Sequence, residues 1–211
     1  MKIQGPLFLL LLALGLFCCS EKQTQKTLEE KIEAYFTSWN QYDFENPAFS
    51  EFKLDTSLIW HGTKKGKGIR SVFNPNSGWK QWDRSWNGTY TFKIQEMDLD
   101  SLKVTGAFTE ITDFHKQIGM PEGLSATVSF WFNDDLKVKE TLYAWDPNNK
   151  SMHELIKPMV AWAKVNDSLL IENIYLKDGF VPNFKNARAW KKLMNDYQLA
   201  TETSHKEHEK K

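Results

Sequence analysis

Cysteine is nearly absent from this chain of 211 residues: there are two, Cys18 and Cys19, and both lie in the first 19 positions. Everything after Cys19 has no thiol to offer, which excludes structural disulfides, a cysteine nucleophile and cysteine-ligated zinc. The stability of residues 20–211 must come from a hydrophobic core, and the length suffices for one domain with elaborations. An excess of either charge is missing too, since 27 Lys and Arg face 27 Asp and Glu. That balance argues against a polyanion-binding surface, and no nucleic-acid partner is expected. The one basic cluster, GTKKGKGIR at 62–70, fails as a phosphate loop. Only three residues separate Gly62 from Gly66, and Gly68 stands where a Ser or Thr would hold magnesium. It reads as a solvated basic loop. No serine carries the flanking glycines of a nucleophile elbow. His205 and His208 have helical spacing but sit in a hydrophilic tail, and the other three histidines lie far apart. No metal site and no cofactor are expected.

Long apolar runs are also lacking. Pro6–Phe17 is shorter than the roughly 20 residues that a bilayer-spanning helix needs, and with Lys2 before it the segment reads as an export signal. The stretch LFCC is similar to the bacterial lipoprotein signal, with Leu16 three positions before Cys19 and Cys18 just before it. The resemblance implies a membrane tether through a lipid on Cys19 and a bacterial cell-envelope location. Ser20-Glu21-Lys22 points onward to the outer membrane, on its periplasmic or surface face. An ordinary secretory peptide cut near Ser20 is the alternative.

Residues 20–26 are polar and aperiodic and are expected to form a flexible tether. Thr27 and Glu30 then make a capping-box pattern before Leu28, Ile32, Tyr35, Phe36 and Trp39, which recur at helical spacing. Pro47 opens a short second helix, SLIWHG at 57–62 is a short strand, and GWKQWDRSW predicts a third helix ended by Asn87-Gly88. From Thr89 the period changes to two. Four long strands joined by short turns predict an antiparallel meander, with the second running from Leu102 to Phe114. The last third returns to helical spacing around Pro158, either a helix or a hairpin over 166–177, a helix capped by Asn183, and a charged disordered tail at 200–211.

That element order is α+β, and three stretches carry a resemblance to the nuclear transport factor 2-like superfamily, in particular its SnoaL-like branch. They are EEKIEAYFTSWNQYDF, SLIWHG, and FNDDLKVKETLYAWD, where Leu136 replaces the usual turn glycine. The resemblance covers roughly 27–147. It implies a cone-shaped half-barrel, in which N-terminal helices cover a curved antiparallel sheet of about four long strands plus a short one. A pocket would lie between helices and sheet, and homodimers would form through the sheet. Residues 148–199 would be a C-terminal helical extension. No reaction is implied, because the superfamily includes cyclases, isomerases, hydrolases and non-enzymes.

Three acids and one histidine are candidates for proton chemistry. At about 100° per residue, Trp79, Trp82, Asp83 and Trp86 share a helix face, whereas Arg84 lies off it. Asp83 is thus an acid in an aromatic stripe, serving either as a titrating group of raised pKa or as a structural acceptor of an indole or backbone N–H. Glu110 falls in phase with Val104 and Phe108, and Glu140 with Val138 and Leu142; if that phase is the concave one both face the cone, whereas a bulge or an edge position would turn either outward. His61 ends the short strand, while Asp113 and His115 are expected as solvent-facing neighbours on a strand. Trp60, Trp79, Trp82, Trp86, Trp131 and Tyr143 would either line a pocket for a small apolar, flat or sugar-like molecule or simply fill the interior of a cone that has no disulfides. Three functions remain: a lipid-anchored domain that binds a small molecule, an envelope isomerase, cyclase or hydrolase using these carboxylates, and a protein-interaction module that docks through the sheet or the extension.

Overall fold

Helix α1 runs unbroken over Gly5–Asn40 in a computed structural model that describes residues 5–65, 67–72, 78–176 and 179–208. Residues 20–26, expected as a tether, are helical. The run SEKQTQK has no Gly or Pro and is mostly straight-chain residues, whose rotamers a helix restricts little. Among the described residues, no helix is long and apolar enough to cross a membrane. Helix α2 (Pro47–Phe52) starts as expected, with Asn46 Oδ1 accepting the Ala48 N–H at 3.0 Å.

Strand β1 (Lys53–Lys64) is far longer than SLIWHG, and the basic segment after it is β2 (Lys67–Val72), which pairs antiparallel with β1. The expected solvated loop is therefore mostly strand. Then come α3 (Trp79–Ser85), β3 (Thr89–Asp98), β4 (Lys103–Ile111), α4 (Asp113–Gln117), β5 (Leu124–Phe132) and β6 (Val138–Trp145). The sheet order is β2-β1-β6-β5-β4-β3. The meander is present, but β1 joins it parallel to β6, so the six-stranded sheet is mixed and not purely antiparallel. The C-terminal part is α5 (Met152–Asn166), α6 (Ser168–Ile174), the small hairpin β7 (Tyr175–Leu176) and β8 (Gly179–Phe180), and α7 (Phe184–His208). Helix α7 takes in most of the tail expected to be disordered, and residues 209–211 lie outside the described ones.

The chain forms two compact units, and their division differs from a boundary at 147. One comprises Met1–Phe73, Phe92–Ala107 and Thr127–Ala144. Its core is aromatic: Tyr35 stacks on Phe52 at 4.2 Å, Phe36 stacks on Phe92 at 5.4 Å, and Phe52 meets Phe130 and Phe132 edge-on. Each such pair adds about 0.5–1.5 kcal/mol beyond area burial. The other unit comprises Asn74–Thr91, Phe108–Ala126 and Trp145–Lys211, so the tryptophan helix α3 belongs with the C-terminal helices. Trp82, Trp86 and Phe114 are buried there among Ile156, Ala163, Ile171, Ala187, Trp190 and Leu193.

Two turns explain departures from the sequence expectation. Strand β4 stops at Ile111 because Thr112 caps α4: its Oγ1 accepts the His115 N–H at 3.1 Å, and His115 Nδ1 accepts the Thr112 N–H at 3.2 Å. Leu136 holds a left-handed φ of 54° in the β5–β6 turn, where Asn133 accepts the N–H groups of Leu136 and Lys137. Gly123, by contrast, has no substitute. Its φ is +69°, and an added Cβ would lie 2.0 Å from the carbonyl oxygen of Glu110. Gly123→Ala should therefore cost more than about 2 kcal/mol in urea unfolding, because both strain and backbone contact oppose it. A cost within about 0.5 kcal/mol would contradict this packing.

Candidate functional site

Asp83 is placed by the packing of its helix neighbours. Trp82 and Trp86 are 4% and 0% exposed, and the turn between them carries Asp83 to 3% exposure while Arg84 stays in solvent, as the helical projection expects. Trp79, on the same projected face, is 45% exposed. Among the described residues, the Trp86 indole N–H has no hydrogen-bond partner. Asn87 stands next in the left-handed region, with φ 50°, and Gly88 donates its N–H to the Asp83 carbonyl at 2.9 Å. A Cβ added at Gly88 would sit 3.2 Å from the Tyr90 hydroxyl and 3.4 Å from the Asp83 Cβ. A phenol and a carboxylate stem thus flank one glycine. Sequence reasoning counts Tyr90 only as a strand residue, although its place two positions after Gly88 is visible there.

Glu110 belongs to the same unit as Asp83. Its carboxyl is pushed up to about 8, first by burial and then by the Asp83 charge. By surface area the residue is only half-buried, yet protein atoms crowd the carboxyl itself, and that crowding is the larger cause. Glu110 therefore keeps its proton near neutral pH and can act as a donor. Tyr90, Phe108 and Trp145 form an aromatic row in the same unit, with ring separations of 6.2 and 6.4 Å, and Phe108 stands two residues before Glu110 in β4.

The remaining candidates do not join that pair. Glu140 lies in the other unit, where its Oε1 is 3.0 Å from Lys65 Nζ and its Oε2 accepts the Trp60 indole N–H at 3.3 Å. Lys65 also sits 4.9 Å from the Trp131 ring, so Trp60, Trp131 and Glu140 form one cation-centred cluster. Trp131 alternates with Phe130 and Phe132, which pack against Phe52, so Glu140 joins the opposite strand phase from the aromatic core. His61, on the alternate phase to Trp60, stacks on Tyr143 at 5.4 Å. Its imidazole is held below the usual value by burial and then by the charge of Lys53.

Lys53 is a group that the sequence did not single out. It is 4% exposed at the start of β1, its Nζ lies 5.3 Å from the Tyr35 ring, and burial pushes its amine down to about 8. The six aromatics expected to line one pocket thus divide. Trp82 and Trp86 are filled-in core, Trp79 is exposed, and Trp60, Trp131 and Tyr143 serve the other unit.

Asp113 and His115 are also corrected. They stand in α4 and not in a strand, and His115 is 3% exposed with its imidazole pushed down to about 4 by burial. Asp113 accepts the Asn87 amide at 2.6 Å and Lys116 Nζ at 3.0 Å, and these bonds hold its carboxyl below the usual range. Among the described residues, no group of His, Cys, Asp and Glu could hold a metal ion. His205 and His208 lie in the last turns of α7, and their side chains fall outside the described ones.

No family model and no curated protein matches the chain. Solved structures do. A protein of unknown function with a cystatin-like fold from Methylobium petroleophilum PM1 is 12% identical, with a TM-score of 0.44 over 59% of this chain and 78% of that one. A SnoaL-like protein of unknown function from Burkholderia thailandensis E264 is 15% identical, with a TM-score of 0.40 over 58% and 93%. The epoxide hydrolase/cyclase-like enzyme SalBIII, described in pyran ring formation in salinomycin, is 16% identical, with a TM-score of 0.42 over 58% and 93%.

The buried titrating groups fix how stability varies with pH. The folded state holds the Glu110 proton from about 4.5 to about 8, so stability falls as pH rises through that window. His115, held uncharged, makes stability rise between about 4 and 6.5, and Lys53 makes it rise between about 8 and 10.5. Between pH 6.5 and 8 the Glu110 contribution stands alone among these. Urea-unfolding free energy should fall across that interval in the unmodified chain and stay level in Glu110→Gln. A level profile in both would show that Glu110 ionises normally.

Proposed function

We propose that this chain is a SnoaL-like domain that binds a small, uncharged, flat apolar molecule at the Asp83–Glu110 pair, and that a lipid on Cys19 holds it at the bacterial envelope. The observation that carries this reading is a buried acid, Asp83, whose charge acts on a second carboxyl, Glu110, that burial pushes up to about 8. Such a pair offers one donor and one acceptor in an environment of low dielectric, where each hydrogen bond to a ligand counts for more than in water. In the aromatic row Tyr90, Phe108 and Trp145, the first two rings are buried, and the part-exposed Trp145 is the ring a flat ligand would meet. A neutral carbonyl would take the Glu110 proton in a hydrogen bond, and the ligand should be uncharged because a second anion would be repelled by Asp83.

A second reading rests on the same pair. A protonated acid and an ionised acid serving one site would be the two partners of general acid–base catalysis, with Glu110 protonating a carbonyl oxygen as Asp83 removes a proton from the adjacent carbon. That division of labour is an isomerase or cyclase step that needs no metal or nucleophile.

The test uses 2-acetylnaphthalene, a flat apolar ketone, with the full chain. Binding measured by fluorescence should weaken at least about fivefold between roughly pH 6.5 and 9.5 as Glu110 ionises, and Glu110→Gln should bind with no pH dependence. Exchange of its methyl protons for deuterium, monitored by NMR, separates catalysis from binding and should disappear in Asp83→Asn. Binding that does not vary with pH in the unmodified chain, or equal binding by Glu110→Leu, would sink the site. For the anchor, metabolic labelling with a fatty acid should mark the chain, and Cys19→Ala should remove the label.

A further inference from the structure

The C-terminal extension contains a cavity of its own. It measures about 700 Å³ and lies between α5, α6 and the β7–β8 hairpin, wholly within the unit that holds these elements. That volume is in the range of sites for small organic molecules. Its floor is apolar, made by Met152 at the start of α5, Ile171 of α6 and Phe180 of β8, with Leu176 at the rim. Ile171 is 2% exposed and so belongs to a fixed wall, whereas Leu176 is 52% exposed. One end is polar. The His153 ring is stacked on Tyr175 at 6.0 Å, and its Nδ1 is hydrogen-bonded to the Tyr175 hydroxyl. When the hydroxyl donates to Nδ1, the imidazole carries its own N–H on Nε2, pointing away from that bond. Burial raises the Tyr175 phenol, which keeps it a proton carrier across the neutral range. Lys164 adds an ammonium to the lining and makes no ion pair among the described residues. The acceptor-only side chain is Glu172. Donors thus outnumber it.

We propose that this cavity is a second ligand site, which takes an amphipathic weak acid: an apolar chain or ring laid on Met152, Ile171 and Phe180, with its carboxylate received by the His153 Nε2–H that the Tyr175 hydroxyl orients and favoured by the Lys164 charge in the same lining. This site is independent of the Asp83–Glu110 pair, since none of its residues contributes to that pair. The lining joins apolar side chains to hydrogen-bond donors, which matches a molecule that carries both. The Leu176 side chain, exposed in the free protein, gains cover when the chain of the acid lies against it.

The experiment is a calorimetric titration of the full chain with decanoate, combined with methyl NMR of Met152 and Ile171. The expected result is saturable binding of one equivalent, with both methyl signals moving in step with saturation. Leu176→Glu, which alters an exposed side chain and should leave the fold intact, should weaken binding about tenfold or more by repelling the carboxylate and removing the apolar rim. Tyr175→Phe should weaken it about two- to tenfold, because it removes the hydrogen bond that fixes the His153 tautomer. Decanol should bind at least about fivefold more weakly than decanoate. Binding that leaves the Met152 and Ile171 methyl signals unmoved, or that survives both substitutions, would overturn the proposal, and so would the absence of saturable binding.

Discussion

The docking of Trp82 and Trp86 into the C-terminal helical core is the contact on which the candidate chemistry depends. Two large indoles with almost no exposed surface fix the rotation of a seven-residue helix that could not be stable alone. Asp83 lies between them in sequence, so fixing that rotation removes the carboxylate from water. Burial of each tryptophan contributes more than about 1.5–3 kcal/mol, and that gain offsets the cost of placing an acid where it is poorly solvated. The consequence appears on β4, where Glu110 keeps its proton because a crowded site cannot hold two negative charges cheaply.

The other unit meets the same problem with a cation. Lys53 lies under Tyr35 at the point where α2 gives way to β1, and its charge reaches His61 eight residues along the strand. A buried amine pushed down to about 8 and a histidine held uncharged form a basic counterpart to the acid pair. Glu140, the acid that could have balanced such a cation, is instead engaged by Lys65 and the Trp60 indole. Each unit therefore holds ionisable groups whose charge burial disfavours, Glu110 and His115 in one and Lys53 and His61 in the other.

Much of this is legible in the chain. Helical projection separates Asp83 from Arg84, and strand alternation places Glu110 in phase with Phe108, because both inferences rest on local periodicity. The long-range features are not legible. Periodicity gives two strand phases without saying which one faces the helices, so it sets Glu140 on the wrong side of the chemistry. It also cannot see that β1 joins β6 in parallel, or that the tryptophan helix packs with α5 to α7 rather than lining a cone. Lys53 is hidden for a related reason: a lysine between a short helix and a strand reads as a surface residue until the strand is extended back to include it. His115 is misplaced because alternation carries the strand on to Phe114, whereas Thr112 caps a helix there.

The candidate chemistry requires Glu110 to retain its proton near neutral pH because of burial beside Asp83. Carbon-13 NMR of the side-chain carboxyls, with glutamate labelled at Cδ, reads that proton directly. One glutamate resonance should titrate near 8 and move toward the ordinary carboxylate range in Asp83→Asn. If every glutamate titrates below about 5, or if the displaced one ignores Asp83→Asn, the acid pair does not exist as described.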